Sequence, residues 1–250
     1  MPRQPRSNRG TLKILFMMAL RSGSKGVKDK NIRLLNGIPL FAHAAKAVLG
    51  SRAYREGGTL LVNTDSKDYA RVANQYGAIT PFIRPASMAK DNSPIREAID
   101  YTFNFFAEKA ETFDLFALIQ ATSPFTTNAD LDRAISVFRD EPRVKSVISV
   151  TEVDVPPVWC NTLDDTLSMK DFLARELRQK NRQELPQYYR VTGAVRIARW
   201  DDFRRSNYDW YFDDSKALII DRARSIDIDS EEDFSYAEFL MHKRNPIACN

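Results

Sequence analysis

Runs of apolar residues alternate with helical patterns along most of this chain. A continuous apolar run predicts a buried strand, whereas apolar residues three and four positions apart predict a helix with one buried face. The predicted strands are residues 12–20, 60–62, 79–83, 115–119 and 146–151. The predicted helices are residues 39–49, 66–77, 94–109, with Ser93 as its cap, and 128–138. Such alternation is typical of an α/β fold, in which helices cover both faces of a mostly parallel sheet.

The alternation stops after residue 152. Residues 153–190 contain prolines, mixed charges and aromatic residues without a clean period, and a loop of this length is uncommon inside a compact domain. We predict an extension that packs on another subunit, with a flexible insertion as the alternative. Strands at 191–199 and 216–220 and a helix at 230–243, capped by Ser230 with Asp233, are then expected. The predicted parts of the chain are a disordered basic tail at 1–11, an α/β core at 12–152, the extension at 153–190 and a return to the core at 191–250.

The composition favours a globular protein over a membrane protein or a nucleic-acid-binding protein. The 250 residues, 43% of them hydrophobic, are enough to bury a large core. No apolar run approaches the ~20 residues of a membrane span, so no membrane association is expected. The net charge of +4 is a small excess among 37 basic and 33 acidic residues, which suits an anionic small molecule better than nucleic acid. Two cysteines and two histidines without disulfide or zinc spacing fit a reducing, cytoplasmic compartment.

Ligands of such sheets bind beyond the carboxyl ends of the strands, so the loops that follow the strands are the candidate ligand-binding segments. The loop after the first strand, at 21–31, combines glycine and serine with basic residues. These basic residues are Arg21, Lys25, Lys28 and Lys30. Main-chain N–H groups and cations can bind phosphate oxygens, although the spacing here matches neither a P-loop nor GxGxxG. From the residues alone, a phosphate-binding loop and a solvated turn are both open.

A pair of aspartates lies near the C-terminus, in SIDIDSEEDF at 225–234. In an extended segment, the period of two places Asp227 and Asp229 on one face and the two isoleucines on the other. Two carboxylates without a histidine suit Mg²⁺, which binds one or two protein carboxylates together with substrate phosphates. The alternative is a strand with a polar face, in which Asp229 only neighbours the cap of the last helix.

Two further stretches offer polar groups to a substrate. LIQATSPF at 118–125 places Gln120 at the carboxyl end of a strand, where it either binds a substrate hydroxyl or belongs to a turn ended by Pro124. RQELPQYYR at 182–190 contains Arg182 and Arg190, which either hold a carboxylate at two points or are simply solvated.

Six stretches of the chain together resemble the acylneuraminate cytidylyltransferase family, also called CMP-sialic acid synthetases. They are ALRSGSKGVKDKN, VNTD, RPASMAKDNS, IQATSPF, RQELPQYYRVTGAV and SIDIDSEEDF. The resemblance runs from about residue 12 to residue 240. It implies a Rossmann-like nucleotidyltransferase fold, Mg²⁺ as cofactor, and a homodimer whose extension reaches the partner's active site. The implied reaction joins CTP to a nine-carbon 2-keto sugar acid, a nonulosonic acid, and releases pyrophosphate.

The same resemblance implies roles for individual residues. The implied catalytic residues are Arg21, Lys25, Lys30 and Asp229. The implied nucleotide-binding residues are Leu20, Arg21, Ser24, Asn31, Arg84 and Ser93. The implied sugar-binding residues are Gln120, Arg182, Tyr189 and Thr192, and the implied metal ligands are Asp227 and Asp229. One of the two aspartates would also assist deprotonation of the anomeric hydroxyl, and the cationic loop would bind CTP.

The sugar side departs from the pattern of the family. The family often has Pro-Asn-Gly-Ala where this chain has VTGA at 191–194, and sialic acid enzymes can carry a lysine where this chain has Trp159. An apolar Trp159 and a shorter Thr192 suggest a deoxy sugar such as legionaminic or pseudaminic acid. The alternatives are a CMP-Kdo synthetase acting on an eight-carbon acid, a nucleotide-sugar-dependent glycosyltransferase and a silent CTP-binding protein.

Overall fold

A six-stranded sheet forms the centre of the structure, a computed structural model that describes residues 11–23, 26–90 and 92–244. Its strands are β1 (Ile14–Leu20), β4 (Thr59–Thr64), β5 (Leu115–Ile119), β6 (Ser146–Glu152), β7 (Tyr189–Arg199) and β8 (Ser215–Ile219), and a separate hairpin consists of β2 (Leu34–Leu35) and β3 (Ile38–Pro39). The helices are α1 (Leu40–Leu49), α2 (Arg52–Arg55), α3 (Lys67–Gln75), α4 (Ile95–Glu108), α5 (Asn128–Asp140), α6 (Trp200–Arg205) and α7 (Glu231–Arg244). Residues 1–10 of the predicted tail at 1–11, and the predicted site residues Ser24 and Lys25, lie outside the described residues.

The strands lie in the order β4-β1-β5-β7-β6-β8. Strand β1 pairs in parallel with β4 and β5, β6 pairs in parallel with β8, and β7 runs antiparallel to both β5 and β6. The predicted mostly parallel sheet is therefore confirmed, with one antiparallel strand near its middle.

Helices cover both faces of the sheet, which explains the unbroken apolar run of β1. Phe16 and Met18 face a core shared with α1, α3 and α5, whereas Leu15 and Met17 face a second core that contains α4 and α6. All four side chains are fully buried. A strand with a core on each side needs apolar residues at every position, so the run does not alternate.

Two sequence predictions were wrong in detail. Residues 79–83 form only isolated bridges, from Ile79 to Leu61 and from Ile83 to Thr64, because Pro81 between them has no N–H to donate to a ladder. Ser93 does not cap α4, whose first turn follows Pro94 without a side-chain cap; the Ser93 hydroxyl instead accepts a hydrogen bond from the main-chain N–H of Lys90 at 3.1 Å.

Three short elements were not predicted: the β2–β3 hairpin, α2 and α6. The β2–β3 hairpin turns at Asn36 and Gly37, which have positive φ angles of 49° and 83°, the backbone that a two-residue hairpin turn requires. Helix α6 follows β7 directly and places Trp200 and Phe203 in the second core.

The chain between β6 and β7 contains three short 3₁₀ turns, at Pro157–Trp159, Arg175–Leu177 and Arg182–Glu184, and it is largely exposed. Its exposed apolar residues include Val155, Leu163, Leu167 and Met169. The contact of this extension with another subunit stays a prediction. Among the described residues, no helix has the length and apolar character needed to cross a membrane.

Candidate active site

Two adjoining cavities lie at the carboxyl ends of β1 and β5, where the fold predicts a ligand site. The first, here called the nucleotide cavity, has a volume of about 270 Å³, and the second, here called the sugar cavity, about 300 Å³. Four residues line both cavities: Ala19, Asn31, Ile95 and Thr122. A ligand in one cavity therefore lies next to a ligand in the other.

Basic side chains dominate the charge of the nucleotide cavity. Its charged residues in the described chain are Arg21, Lys30, Arg84, Lys90 and Asp229. Such an excess of cations favours a polyanionic ligand. The predicted residues Asn31 and Ser93 also line this cavity.

Lys30 connects the cationic loop to the aspartate segment. Its Nζ donates to the main-chain oxygen of Ile228 and to Asp229 Oδ1, both at 2.7 Å. The Lys30 side chain is only 14% exposed, whereas that of Asp229 is 76% exposed. The ammonium group is thus fixed at the wall of the cavity, while the carboxylate remains open to it.

The cationic loop is fixed at both of its ends. Asn31 Nδ2 donates to the Arg21 main-chain oxygen at 3.1 Å. The Ser22 N–H and hydroxyl donate to the two carboxylate oxygens of Asp65, at 2.9 and 2.5 Å. A Cβ on Gly26 would lie 2.4 Å from the main-chain oxygen of Asp229, so only glycine lets the loop approach the aspartate segment this closely.

Arg84 is held rigidly beneath the nucleotide cavity. It is 4% exposed, and one of its terminal nitrogens donates to the Asn63 main-chain oxygen at 3.1 Å and to Asn63 Oδ1 at 2.9 Å. Asn63 is itself fixed by donating to the Ala98 oxygen and to Thr102 Oγ1. Burial lowers the pKa of Arg84, and its Nε is buried with no partner among the described residues. This guanidinium thus retains a donor for a ligand.

Asp227 lines neither cavity itself, but it accepts hydrogen bonds from two residues of the sugar cavity's wall. Thr122 Oγ1 donates to Asp227 Oδ1 at 2.5 Å, and Gln120 Nε2 donates to Asp227 Oδ2 at 2.7 Å. Burial raises the pKa of Asp227, as does the negative charge of Asp229, although the hydrogen bonds from Thr122 and Gln120 and the charge of Lys30 oppose the rise. A cation bound beside Asp227 and Asp229, in addition to the ammonium group of Lys30, would offset the repulsion between the two carboxylates.

The two carboxylates fit a divalent cation that also binds substrate phosphates. Among the described residues no cluster of three or more metal-ligating side chains exists, so an ion here would need further ligands besides these two carboxylates. Mg²⁺ commonly binds to one or two carboxylates and completes its shell with water and phosphate oxygens. The predicted geometry, with both aspartates on one side and Ile226 and Ile228 packed in a core on the other, is present without a strand.

The sugar cavity is less polar. Gln120 lies at its wall against Gly193, whose φ is +76° and where a Cβ would lie 2.1 Å from Gln120 Oε1. Arg196 also lines this cavity, and the sequence analysis did not identify it. The sequence feature that could have identified Arg196 is its charge within the apolar stretch 194–198 of β7.

Some predicted residues line neither cavity. The Leu20 side chain is fully buried in the core, so only its main chain can meet a nucleotide. Thr192 is buried, and its hydroxyl lies 2.7 Å from that of Ser149, so its size gives no information about the sugar. Arg182 and Tyr189 are exposed, and Arg182 donates to the Val153 oxygen at 3.2 Å.

The family model for cytidylyltransferases matches residues 16–199 of this chain. The chain belongs to the cytidylyltransferase family. It is therefore a CTP-dependent nucleotidyltransferase, which confirms the enzyme class expected from the sequence.

Two relatives narrow the family further. The chain is 35% identical to the CMP-N,N'-diacetyllegionaminic acid synthase of Legionella pneumophila, over 92% of this chain and 97% of the relative. It is 30% identical to the N-acylneuraminate cytidylyltransferase of Escherichia coli, over 93% of this chain but only 53% of that longer protein. These relatives confirm the resemblance to acylneuraminate cytidylyltransferases.

Solved structures confirm the nucleotidyltransferase fold. A CMP:2-keto-3-deoxy-manno-octonic acid synthetase complexed with CTP matches with a TM-score of 0.68 at 12% identity, over 93% of this chain and 99% of that one. A 4-diphosphocytidyl-2C-methyl-D-erythritol synthase from Anaerococcus prevotii matches with a TM-score of 0.57 at 15% identity, over 93% and 97% of the two chains.

Proposed function

We propose that this cytidylyltransferase activates a nonulosonic acid with CTP to give the CMP-sugar and pyrophosphate. The observation that carries the proposal is the shared wall between a cationic cavity and a less polar one, with Asp227 and Asp229 beside it. Relatives named for legionaminic, acylneuraminic and pseudaminic acids support this substrate class.

The nucleotide cavity would bind CTP. Arg21, Lys30 and Lys90 would neutralise the triphosphate, and the fixed position of Lys30 suits the phosphate that reacts. Arg84 and Ser93 would bind the cytosine and ribose, since Arg84 is positioned by Asn63 and keeps one donor unpaired. The roles of Ser24 and Lys25 remain predictions from the resemblance.

Asp227 and Asp229 would hold Mg²⁺ together with phosphate oxygens of CTP. When bound there, the ion would supply positive charge to the phosphate oxygens during phosphoryl transfer. The proximity of the two carboxylates supports this assignment, since the negative charge of Asp229 adds to burial in raising the pKa of Asp227.

The reaction would be an attack of the anomeric hydroxyl oxygen of the sugar on the α-phosphorus of CTP. A bond forms between this oxygen and the phosphorus, and the bond to the β-phosphate oxygen breaks, so pyrophosphate leaves with the electron pair. The hydroxyl proton would pass to an oxygen of the Asp227–Asp229 carboxylate pair, since Gln120 and Thr122, which donate to Asp227, line the sugar cavity where the hydroxyl would lie. Asp229 would hold Lys30 in place to stabilise the developing charge.

Legionaminic acid is the sugar that the comparisons favour, through the relative at 35% identity. The buried position of Thr192 removes one of the two sequence reasons for a deoxy sugar, and only Trp159 remains as a reason. An octonic acid is less well supported, since the likeness to that synthetase is at 12% identity and shows the fold alone.

A homodimer would complete the site. Arg182 and Tyr189 line neither cavity of their own chain, yet they lie on or beside an extension with exposed apolar residues such as Leu167 and Met169. An extension of this kind could place Arg182 at the sugar carboxylate of a second copy. We assign the enzyme to the cytoplasm, where CTP is available and the thiol of exposed Cys160 stays reduced.

The test is pyrophosphate release from CTP with Mg²⁺ and each of four acids: N,N'-diacetyllegionaminic, pseudaminic, N-acetylneuraminic and Kdo. Reactions without sugar and with EDTA are the controls. We expect metal-dependent release that is fastest with legionaminic acid. Release only with Kdo would replace the proposed substrate class, and CTP binding without release from any acid would indicate a silent CTP-binding protein.

A further inference from the structure

Arg196 places a positive charge on an otherwise apolar row of the sheet. It lies opposite Leu118 of β5 and Ile148 of β6, which are only 8% and 5% exposed. Along β7, Val195 and Ile197 face the core with α1 and α5, whereas Ala198 faces the core with α4 and α6. Since side chains alternate along a strand, Arg196 points to the α4 side, where the sugar cavity lies.

The Arg196 guanidinium lacks a partner within the part of the chain that the structure describes. Its Nε is buried without a hydrogen-bond acceptor, and no described carboxylate forms an ion pair with it. Arg133, Arg139 and Arg224, by contrast, each bond to a carboxylate. A buried donor without an acceptor is unfavourable, so a ligand that brings an acceptor to this point would be stabilised there.

Arg196 lies at the end of the sugar cavity that is remote from the nucleotide cavity. Its opposite residue Leu118 precedes Gln120 by two positions, which corresponds to ~7 Å along a strand. In a 2-keto sugar acid, the reacting hydroxyl and the carboxylate are both attached to the anomeric carbon. Both groups must therefore stay beside the nucleotide cavity, and Arg196 meets substituents at the other end of the sugar.

The surroundings of Arg196 match one type of substituent. Leu118, opposite Arg196 on β5, lines the same cavity and offers an apolar contact, while the guanidinium offers only donors. An N-acyl group combines an apolar alkyl part with a carbonyl acceptor. The relatives at 35% and 30% identity are named for N,N'-diacetyl and N-acyl sugars.

We propose that Arg196 donates hydrogen bonds to an N-acyl carbonyl oxygen at the distal end of the sugar acid and so determines the preference for N-acylated sugars. The proposal deepens the proposed function and rests on it. A site with such a donor discriminates against an analogue whose substituent is too short to reach the donor, because the guanidinium then stays unpaired.

The test compares Arg196→Met with the wild-type chain on two sugar acids. One acid carries N-acetyl groups, and its analogue carries hydroxyl groups at the same positions. We expect R196M to lower kcat/KM about tenfold or more for the acetylated acid, mainly through KM, and less than about threefold for the analogue. Lys216→Met is the matched control, since this half-exposed lysine lies on β8, in an outer strand of the same sheet, and should change neither value.

Arg196→Lys provides a second variant, which keeps the charge but loses the two-pronged donor. Its activity on the acetylated acid should fall between that of the wild type and that of R196M, and its loss on the hydroxyl analogue should again be smaller. It replaces R196M in the test if R196M does not fold. Equal losses on the two acids, or no loss on the acetylated acid, would overturn the proposal. If the wild-type chain releases no pyrophosphate with either acid, the proposed function fails, and this inference fails with it.

Discussion

Lys30 Nζ donates a hydrogen bond of 2.7 Å to Asp229 Oδ1, although 199 positions separate the two residues in the chain. The contact joins the loop after the first strand to the segment before the last helix. It brings the two most distant motifs of the sequence to one wall of the nucleotide cavity.

Removal of the Lys30 ammonium group should impair the chemical step. We expect Lys30→Met to lower kcat by about 10²–10³, because a fixed cation at the reacting phosphate stabilises charge that develops in the transition state. Steady-state pyrophosphate release measures the effect. Lys67→Met is the control, since Lys67 is exposed at the start of α3. An unchanged kcat in K30M would show that Lys30 is structural only.

Replacement of Asp227 should change the metal requirement. We expect Asp227→Asn to lower activity by about 10²–10³ and to raise the Mg²⁺ concentration needed for half-maximal rate, since the amide lacks the charge of a metal ligand. A Mg²⁺ titration of the rate measures both. Thr122→Val, which removes one hydrogen bond to Asp227 and keeps the carboxylate, should cause a smaller shift. A D227N variant with the wild-type Mg²⁺ response would contradict the metal assignment.

A methyl group on Gly193 should displace Gln120 from the sugar cavity. The added Cβ would lie 2.1 Å from Gln120 Oε1, so we expect Gly193→Ala to lower kcat/KM for the sugar about tenfold while KM for CTP changes little. Gly37→Ala separates clash from backbone strain, because Gly37 also has a positive φ of 83° but no neighbour within 4 Å of its Cβ. Similar losses of activity in the two variants would rule out the clash with Gln120 as the cause.

A buried ion pair away from the site should stabilise the fold above acidic pH. Burial alone would raise the pKa of Asp130, but hydrogen bonds from Arg224 and Thr127 lower it from 3.8 to about 2. Because the folded pKa lies below the unfolded one, this stabilisation is present above pH 3.8 and is lost as the pH falls towards 2.

Asp130→Asn should therefore destabilise the chain by about 3 kcal/mol at neutral pH, since it leaves the Arg224 charge without its partner. Urea unfolding at several pH values measures this free energy. The difference between variant and wild type should shrink below pH 3.8. Asp68→Asn, in an exposed ion pair with Arg71, is the control and should change stability little. A constant difference at all pH values would contradict the assignment.

Local sequence patterns predicted those parts of the fold that short-range chemistry determines. The apolar run of β1 and the cap formed by Ser230 and Asp233 are examples, and both are present. The spacing of Asp227 and Asp229 likewise predicted two carboxylates on one side of the chain. None of these features depends on how distant segments meet.

The remaining features depend on distant contacts. The antiparallel direction of β7 depends on where the chain re-enters the sheet after the extension. The extension has no periodic pattern from which this point could be predicted. Thr192 stands where the family often has asparagine and was expected to contact the sugar, but its hydroxyl lies against that of Ser149. Arg196 is a candidate site residue because its Nε is buried without a partner among the described residues. Recognising this requires the positions of the neighbouring strands, which the sequence does not give.

The origin of the bridging oxygen in the product is the sharpest test of attack by the sugar hydroxyl on the α-phosphorus of CTP. The sugar acid is labelled with ¹⁸O at its anomeric hydroxyl, mixed with CTP, Mg²⁺ and enzyme, and quenched before the label exchanges with water. Mass spectrometry then follows the label in the CMP-sugar, and in the CMP released when its carbon–oxygen bond is cleaved in acid. Attack of the sugar hydroxyl on the α-phosphorus predicts ¹⁸O in the CMP-sugar and in the CMP released from it, and none in pyrophosphate. Unlabelled CMP, or label in pyrophosphate, would contradict attack of the sugar hydroxyl on the α-phosphorus.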